Sequence, residues 1–186
     1  MNNQSTTEVE VDNGRKLRVY DNMFDFQYRQ LLYHYMQSSL FRIGWSDGIT
    51  PEKRGSQFLH SVHSVEDLKS VGFMERLEQT SVGPELVGYS LTKAVLNLST
   101  AADVNFIHAH SEDKVILYYV NLDWQDGWHG ETLFFDEASK NIMFASPYTP
   151  GRIIAFDAKI PHTIRPQSHL ATFYRMTFAL VYTKST

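Results

Sequence analysis

Val104-Asn105-Phe106-Ile107-His108-Ala109-His110-Ser111-Glu112-Asp113-Lys114-Val115-Ile116-Leu117-Tyr118-Tyr119-Val120 reads as two apolar runs parted by a short acidic turn. Runs this short, and this rich in β-branched and aromatic residues, favour strands, while Ser111-Glu112-Asp113 is turn material. In a strand, residues i and i+2 face the same side, so His108 and His110 present both imidazoles together. That is half of a metal site. The same pair would also suit a polar patch on a half-exposed strand.

Working outward, the chain after Gly83-Pro84 continues in short aliphatic and β-branched runs: Leu91 to Leu98, Val104 to His110, Val115 to Val120, Thr132 to Phe135, Ile142 to Ala145, Arg152 to Phe156 and Tyr174 to Tyr182. Turn residues separate them, notably Gln125-Asp126-Gly127 and Pro147-Tyr148-Thr149-Pro150-Gly151. Upstream the period changes. Asp21 or Asn22 can cap a helix whose apolar stripe is Phe24, Tyr28, Leu31, Leu32, Tyr35 and Met36, with Gly44 past its end. Ser64-Val65-Glu66-Asp67 is a capping box heading a helix through Leu68, Val71, Met74 and Leu77, which Gly72 weakens. Between Trp45 and Ser61, Gly48, Pro51 and Gly55 predict an irregular loop.

Helices first and many short strands afterwards predict a mainly β fold with N-terminal helices. The expected division is helical support over about 15–83 and an antiparallel jelly-roll core over about 84–186, one domain without repeat or linker. Met1 to Gly14, acidic and rich in Asn, Ser and Thr, reads as a mobile tail.

Composition narrows the function classes. The 186 residues are 42% hydrophobic and 13% aromatic, enough for a substantial core. A net charge of -4 gives no reason to expect nucleic acid or an anionic membrane. Zero cysteines exclude disulfides, thiolate metal sites and a cysteine nucleophile. No run of roughly eighteen apolar residues and no apolar leader core occurs, so a soluble cytoplasmic protein is expected.

A second signal is Ile160-Pro161-His162, followed thirteen residues later by Arg175 inside an apolar run. Imidazoles suit iron, copper, nickel or zinc, and ligands on adjacent strands leave metal positions open. Arginine inside an apolar strand is costly unless it pairs with a carboxylate or phosphate, or turns out to solvent. His34 falls off its helix stripe and reads as a surface residue; His60 and His63 flank a boundary and could be mistaken for ligands. Trp124 and Trp128 are expected to cover one end of the barrel. Arg165 and His169 read as a solvated turn.

Several segments in order resemble the Fe(II)/2-oxoglutarate-dependent oxygenases of the prolyl hydroxylase type. They are Val115 to Trp124, Trp128-His129-Gly130-Glu131-Thr132-Leu133-Phe134-Phe135, Pro150-Gly151-Arg152-Ile153-Ile154-Ala155-Phe156-Asp157, Pro161-His162 and Arg175, within roughly Asn97 to Tyr182. The resemblance implies a double-stranded β-helix with iron in its mouth and 2-oxoglutarate and O2 as cosubstrates. By position it implies His162 as the distal iron ligand, Arg175 as partner of the far carboxylate of 2-oxoglutarate, and Tyr119 as a cosubstrate hydrogen-bond donor. Thr177, two residues along the same strand face from Arg175, would assist.

The family's His-x-Asp pair is where the chain departs. Matching it to His108-Ala109-His110 puts a third histidine where the carboxylate belongs; matching it to His110-Ser111-Glu112 restores a carboxylate but removes the turn. Metal ligands are therefore expected to be three of His108, His110, Glu112 and His162. A second departure is His129, where the family has glycine.

The implied activity is hydroxylation of an unactivated C-H bond, with a prolyl residue of a peptide or protein as first substrate class and small molecules open. Two rivals stand beside it. One is a cupin-like three-histidine metal dioxygenase that does not use 2-oxoglutarate; the other is a noncatalytic jelly-roll binding protein.

Overall fold

The computed structural model describes residues 4–45 and 58–185. In chain order the strands are β1 (Ser5–Asp12), β2 (Arg15–Asp21), β3 (Arg42–Trp45), β4 (Phe58–Val62), β5 (Tyr89–Ser99), β6 (Lys114–Tyr119), β7 (Thr132–Phe135), β8 (Ile142–Ser146), β9 (Ile153–Asp157), β10 (His162–Ile164) and β11 (Arg175–Lys184). Helices are α1 (Phe26–Gln37), α2 (Val65–Ser70), α3 (Phe73–Glu78) and α4 (Gly83–Leu86). Eight strands form one antiparallel sheet in the order β1-β2-β9-β6-β11-β5-β4-β3, and β10-β7-β8 form a second.

Strict alternation on the central strands separates two cores. On β6, Ile116 and Tyr118 face the helices, whereas Val115, Leu117 and Tyr119 face the smaller sheet. On β11, Met176, Phe178, Leu180 and Tyr182 join the helical side, and Ala179 and Val181 the inner one. A strand covered on both faces has no polar side to show, which is why these runs are nearly continuous in apolar residues. Arg175 and Thr177 continue the inner row of β11. The helices cover the outer face with Tyr28, Leu32, Met36, Leu68, Phe73 and Leu77.

Three expectations are corrected by the structure. First, the polar start is strand β1 from Ser5 onward, paired with β2 along its length. Its acidic residues Glu8 and Glu10 are on the outward side of an alternation: Val11 is buried in the inner core with Val9 beside it, and Glu8 pairs with Lys16 and Arg18 across the ladder. Second, the region expected as helical support also contributes β2, β3 and β4 to the large sheet. Of the loop expected between Trp45 and Ser61, residues 46–57 lie outside the described residues, and its flanks are β3 and β4. Third, Val104 to His110 is not a strand. Among its residues only His108 makes a ladder bridge, to His162, while the His110 amide bonds the Ala158 carbonyl ahead of β10.

Local signals mostly act as expected. The start of α1 is a correction: its cap is not Asp21 or Asn22 but Asp25, whose carboxylate accepts from the Tyr28 amide at 2.8 Å, and α1 ends at Ser38, leaving Gly44 to β3. Ser64 and Asp67 form the reciprocal capping box of α2. Gly72, at φ 66°, divides the predicted helix into α2 and α3.

Candidate functional site

Three histidines converge at the open end of the inner core. His108 and His162 exchange backbone hydrogen bonds of 3.0 and 2.9 Å, and the His110 amide donates to the Ala158 carbonyl at 2.8 Å. These bonds fix the extended segment 108–110 against the entry to β10. The potential ligand atoms of His108, His110 and His162 lie within 4.8 Å of one another, and ring centroids are 4.5 to 5.2 Å apart.

Two of the rings are oriented by the backbone. Nδ1 of His108 is 3.0 Å from the Phe106 carbonyl, and Nδ1 of His162 is 2.9 Å from the Ile160 carbonyl. A carbonyl only accepts, so each Nδ1 donates its N–H there, which leaves Nε2 as the ring nitrogen through which a metal would be bound. Burial, then the neighbouring imidazoles, pushes His162 well below the ordinary histidine range. Burial and His108 push His110 down to about 4. Both are neutral at pH 7, the state a metal requires. The donor set therefore fits a divalent transition metal.

Glu112 is held elsewhere. Its carboxylate accepts from Lys93 at 2.6 Å and from the Ser111 hydroxyl at 3.0 Å. The lysine bond first, opposed by burial, holds its carboxyl down at about 2. Among the described residues no carboxylate joins the histidine group.

Arg175 begins β11 on the inner face and is fully buried. Its Nε donates to the Gly130 carbonyl at 2.7 Å, and its terminal nitrogens donate to the Thr132 and Thr177 hydroxyls at 3.1 and 3.4 Å. Tyr119 donates to the same Thr132 hydroxyl at 2.7 Å. The guanidinium also stands 4.8 Å from the Tyr148 ring and 5.4 Å from that of Tyr119. Among the described residues none of its hydrogen bonds goes to a carboxylate, and burial lowers its proton affinity. A buried cation served only by neutral acceptors is expensive, and an anion entering the cavity would complete it.

Gly130 makes the approach possible. At φ +85° a Cβ there would lie 3.2 Å from Arg175 Cδ. The backbone of His129 beside it bridges to Gln167, and its carbonyl accepts from the Trp124 indole at 2.9 Å. Trp124 and Trp128 meet edge to face at 5.3 Å.

The histidines, Arg175, Thr177 and Thr132 line one cavity of about 90 Å³, together with Asn97, Asn105 and apolar side chains of β6 and β11. Tyr119 stands behind it, joined through Thr132. The other noted side chains stay outside. His34 and His169 are exposed, His63 is buried beneath α1 on the Tyr35 hydroxyl at 3.0 Å, and Arg165 is an exposed partner of Glu131. Sequence reasoning overlooked Thr132 and Tyr148. Thr132 carries a signal, the inward first position of a strand directly after Gly130-Glu131, whereas Tyr148 sits in a turn where no periodicity exposes it.

No family model matches the sequence, and no curated protein does. Solved structures do match. A prolyl hydroxylase from Trichoplax adhaerens, in complex with a hypoxia inducible factor peptide fragment, superposes with a TM-score of 0.60 at 15% identity, over 90% of this chain and 83% of that one. The viral collagen prolyl hydroxylase of Paramecium Bursaria Chlorella virus-1, in its 2-oxoglutarate complex, gives 0.64 at 8% identity over 91% and 96%. HygX from Streptomyces hygroscopicus, with nickel and 2-oxoglutarate bound, gives 0.62 at 13% identity over 91% and 83%. The fold is that of the 2-oxoglutarate oxygenases. The expected double-stranded β-helix, mainly β with N-terminal helices, is thus the fold observed. Within that oxygenase fold the histidine group and Arg175 lie at one open end of the barrel, on facing sheets.

Proposed function

We propose that the protein is an Fe(II)- and 2-oxoglutarate-dependent dioxygenase that hydroxylates an unactivated C-H bond in a peptide or protein substrate. The observation that carries this reading is the shared cavity: three imidazoles converge on one side, and a buried arginine with no carboxylate partner among the described residues stands on the other. In this reading His108, His110 and His162 hold the iron, and Glu112 does not. Arg175 and Thr177 hold the far carboxylate of 2-oxoglutarate, with Tyr119 supporting through Thr132. Bound iron supplies the open positions at which oxygen activation is coupled to decarboxylation of 2-oxoglutarate to succinate.

Charge supports the cosubstrate. Three neutral ligands leave the full metal charge uncompensated, and Arg175 adds one more positive charge. A bound dianion would balance most of it. A three-histidine site alone would equally suit a dioxygenase of cupin type without 2-oxoglutarate, but that reading leaves Arg175 buried without purpose. The peptide substrate class is supported by likeness to a hydroxylase solved with a peptide fragment.

The test is succinate formation from 2-oxoglutarate by protein reconstituted with Fe(II). The expected result is iron-dependent turnover that is lost in Arg175→Ala. Turnover of any substrate without 2-oxoglutarate would move the assignment to the cupin type.

A further inference from the structure

Asn97 and Asn105 line the histidine cavity. Asn97 Oδ1 and Asn105 Nδ2 are both buried and have no hydrogen-bond partner among the described residues. A polar atom buried without a partner costs stability, so such atoms are rare in folded proteins and mark places completed by something else. Here one is an acceptor and the other a donor.

Strand register places Asn97. It pairs with Thr177 of β11, which pairs in turn with Tyr119 of β6, and on its other side with His60 of β4. Directly paired residues share a face, so the inner row runs Tyr119, Thr177, Asn97, His60. Asn97 thus lies one strand beyond the proposed cosubstrate anchor, toward the edge formed by β4 and β3. Asn105 approaches from the segment that carries His108, three residues upstream.

We infer that Asn97 and Asn105 recognise an amide group of the substrate, selecting a peptide-type molecule over a free amino acid. The inference rests on the oxygenase reading above and names the substrate contact of that site. A carboxylate offers acceptors only, and would set oxygen against Asn97 Oδ1. An amide offers one N–H and one C=O, which match the unpaired acceptor and donor. The two ligands are thus sorted by charge: the dianion goes to the buried cation, and the neutral amide to the neutral pair.

The experiment uses Asn97→Leu and Asn105→Leu, with Mn(II) in place of iron so that no turnover occurs. In ligand-free protein each variant is expected to melt no lower than wild type, and up to about 4 °C higher, because an unpaired buried group is removed. A fall of several degrees would assign the asparagines a structural role and overturn the inference. Calorimetric affinity for 2-oxoglutarate is expected within about threefold of wild type; a loss of tenfold or more would make them cosubstrate ligands instead. With 2-oxoglutarate bound, N-acetyl-L-prolinamide is expected to bind wild type at least tenfold more tightly than L-proline, and each variant to lose about tenfold of that affinity. Equal binding of the two probes, no binding of the amide, or unchanged binding by the variants would each overturn the inference. Wild-type protein that takes up neither Mn(II) nor 2-oxoglutarate would remove the oxygenase reading itself, and the melting comparison would still decide the role of the asparagines.

Discussion

His108 and His162 are locked backbone to backbone, each amide donating to the other's carbonyl at 3.0 and 2.9 Å, which holds their rings 4.5 Å apart. A pair so fixed is preorganised for metal, since little ordering remains to be done on binding. Metal at one hundred times its dissociation constant should stabilise the protein by about 2.7 kcal/mol. For a chain of this size that is a rise of about 5–10 °C in Tm. His162→Ala should abolish the rise in a thermal melt with and without Mn(II). A rise that persisted in the variant would place the metal elsewhere.

Arg175 is the converse case, a preorganised charge with neutral acceptors and no anionic partner among the described residues. Replacing a buried ionic group by an apolar side chain of similar volume is often neutral or stabilising by about 1–4 kcal/mol. Arg175→Met should therefore fold at least as stably as wild type in urea, while its affinity for 2-oxoglutarate falls by 10²-fold or more, on the order of 3 kcal/mol. A variant that is destabilised yet binds 2-oxoglutarate normally would show that the arginine serves only the fold.

Two glycines separate site from scaffold. A Cβ on Gly130 would crowd Arg175, and one on Gly151 would lie 2.6 Å from Arg29 Nε; both glycines have φ above +80°. Alanine at either position should destabilise by about 1 kcal/mol or more. Only Gly130→Ala should also weaken 2-oxoglutarate binding, because only it displaces the guanidinium. Equal effects on binding would remove the distinction.

His63, buried against Tyr35 and Phe178, has its proton affinity lowered by burial, with Asp67 opposing weakly. Below its ordinary value of about 6.5 the unfolded chain takes a proton that the folded protein refuses. Stability is therefore present above that pH and lost as pH falls through it, by up to about 1.4 kcal/mol per pH unit for one group. Metal-free His63→Gln should lose less stability than wild type between pH 7.5 and 5.5 in urea unfolding. Identical slopes would mean that His63 protonates equally well when folded.

Much of this architecture was legible because it is written in alternation. The run Val115 to Val120 and the run after Arg175 are nearly continuous in apolar residues because both faces are covered, and a motif order placed Arg175 at the head of the second and His162 on the facing strand β10. What misled was chemistry that only pairing reveals. Glu8 and its neighbours look like a solvated tail until Lys16 and Arg18 stand opposite them in the ladder. His108-Ala109-His110 meets its partner through one bridge and not a strand, so periodicity alone could not say whether His108 or Glu112 faces His162. That depended on Lys93, nineteen residues before Glu112, which binds its carboxylate. Asn97 and Asn105 carried no sequence signal at all, since an unpaired amide is defined by what does not surround it.

The most direct measurement is anaerobic calorimetric titration of Fe(II), then 2-oxoglutarate, into metal-free wild type, His110→Ala and Glu112→Gln. Wild type and Glu112→Gln should bind iron within about threefold of each other, because the substitution removes only the ion pair with Lys93, away from the histidines. His110→Ala should lose iron affinity by two orders of magnitude or more, and 2-oxoglutarate binding with it. Iron binding that survives in His110→Ala and fails in Glu112→Gln would restore a carboxylate to the metal and refute the three-histidine centre.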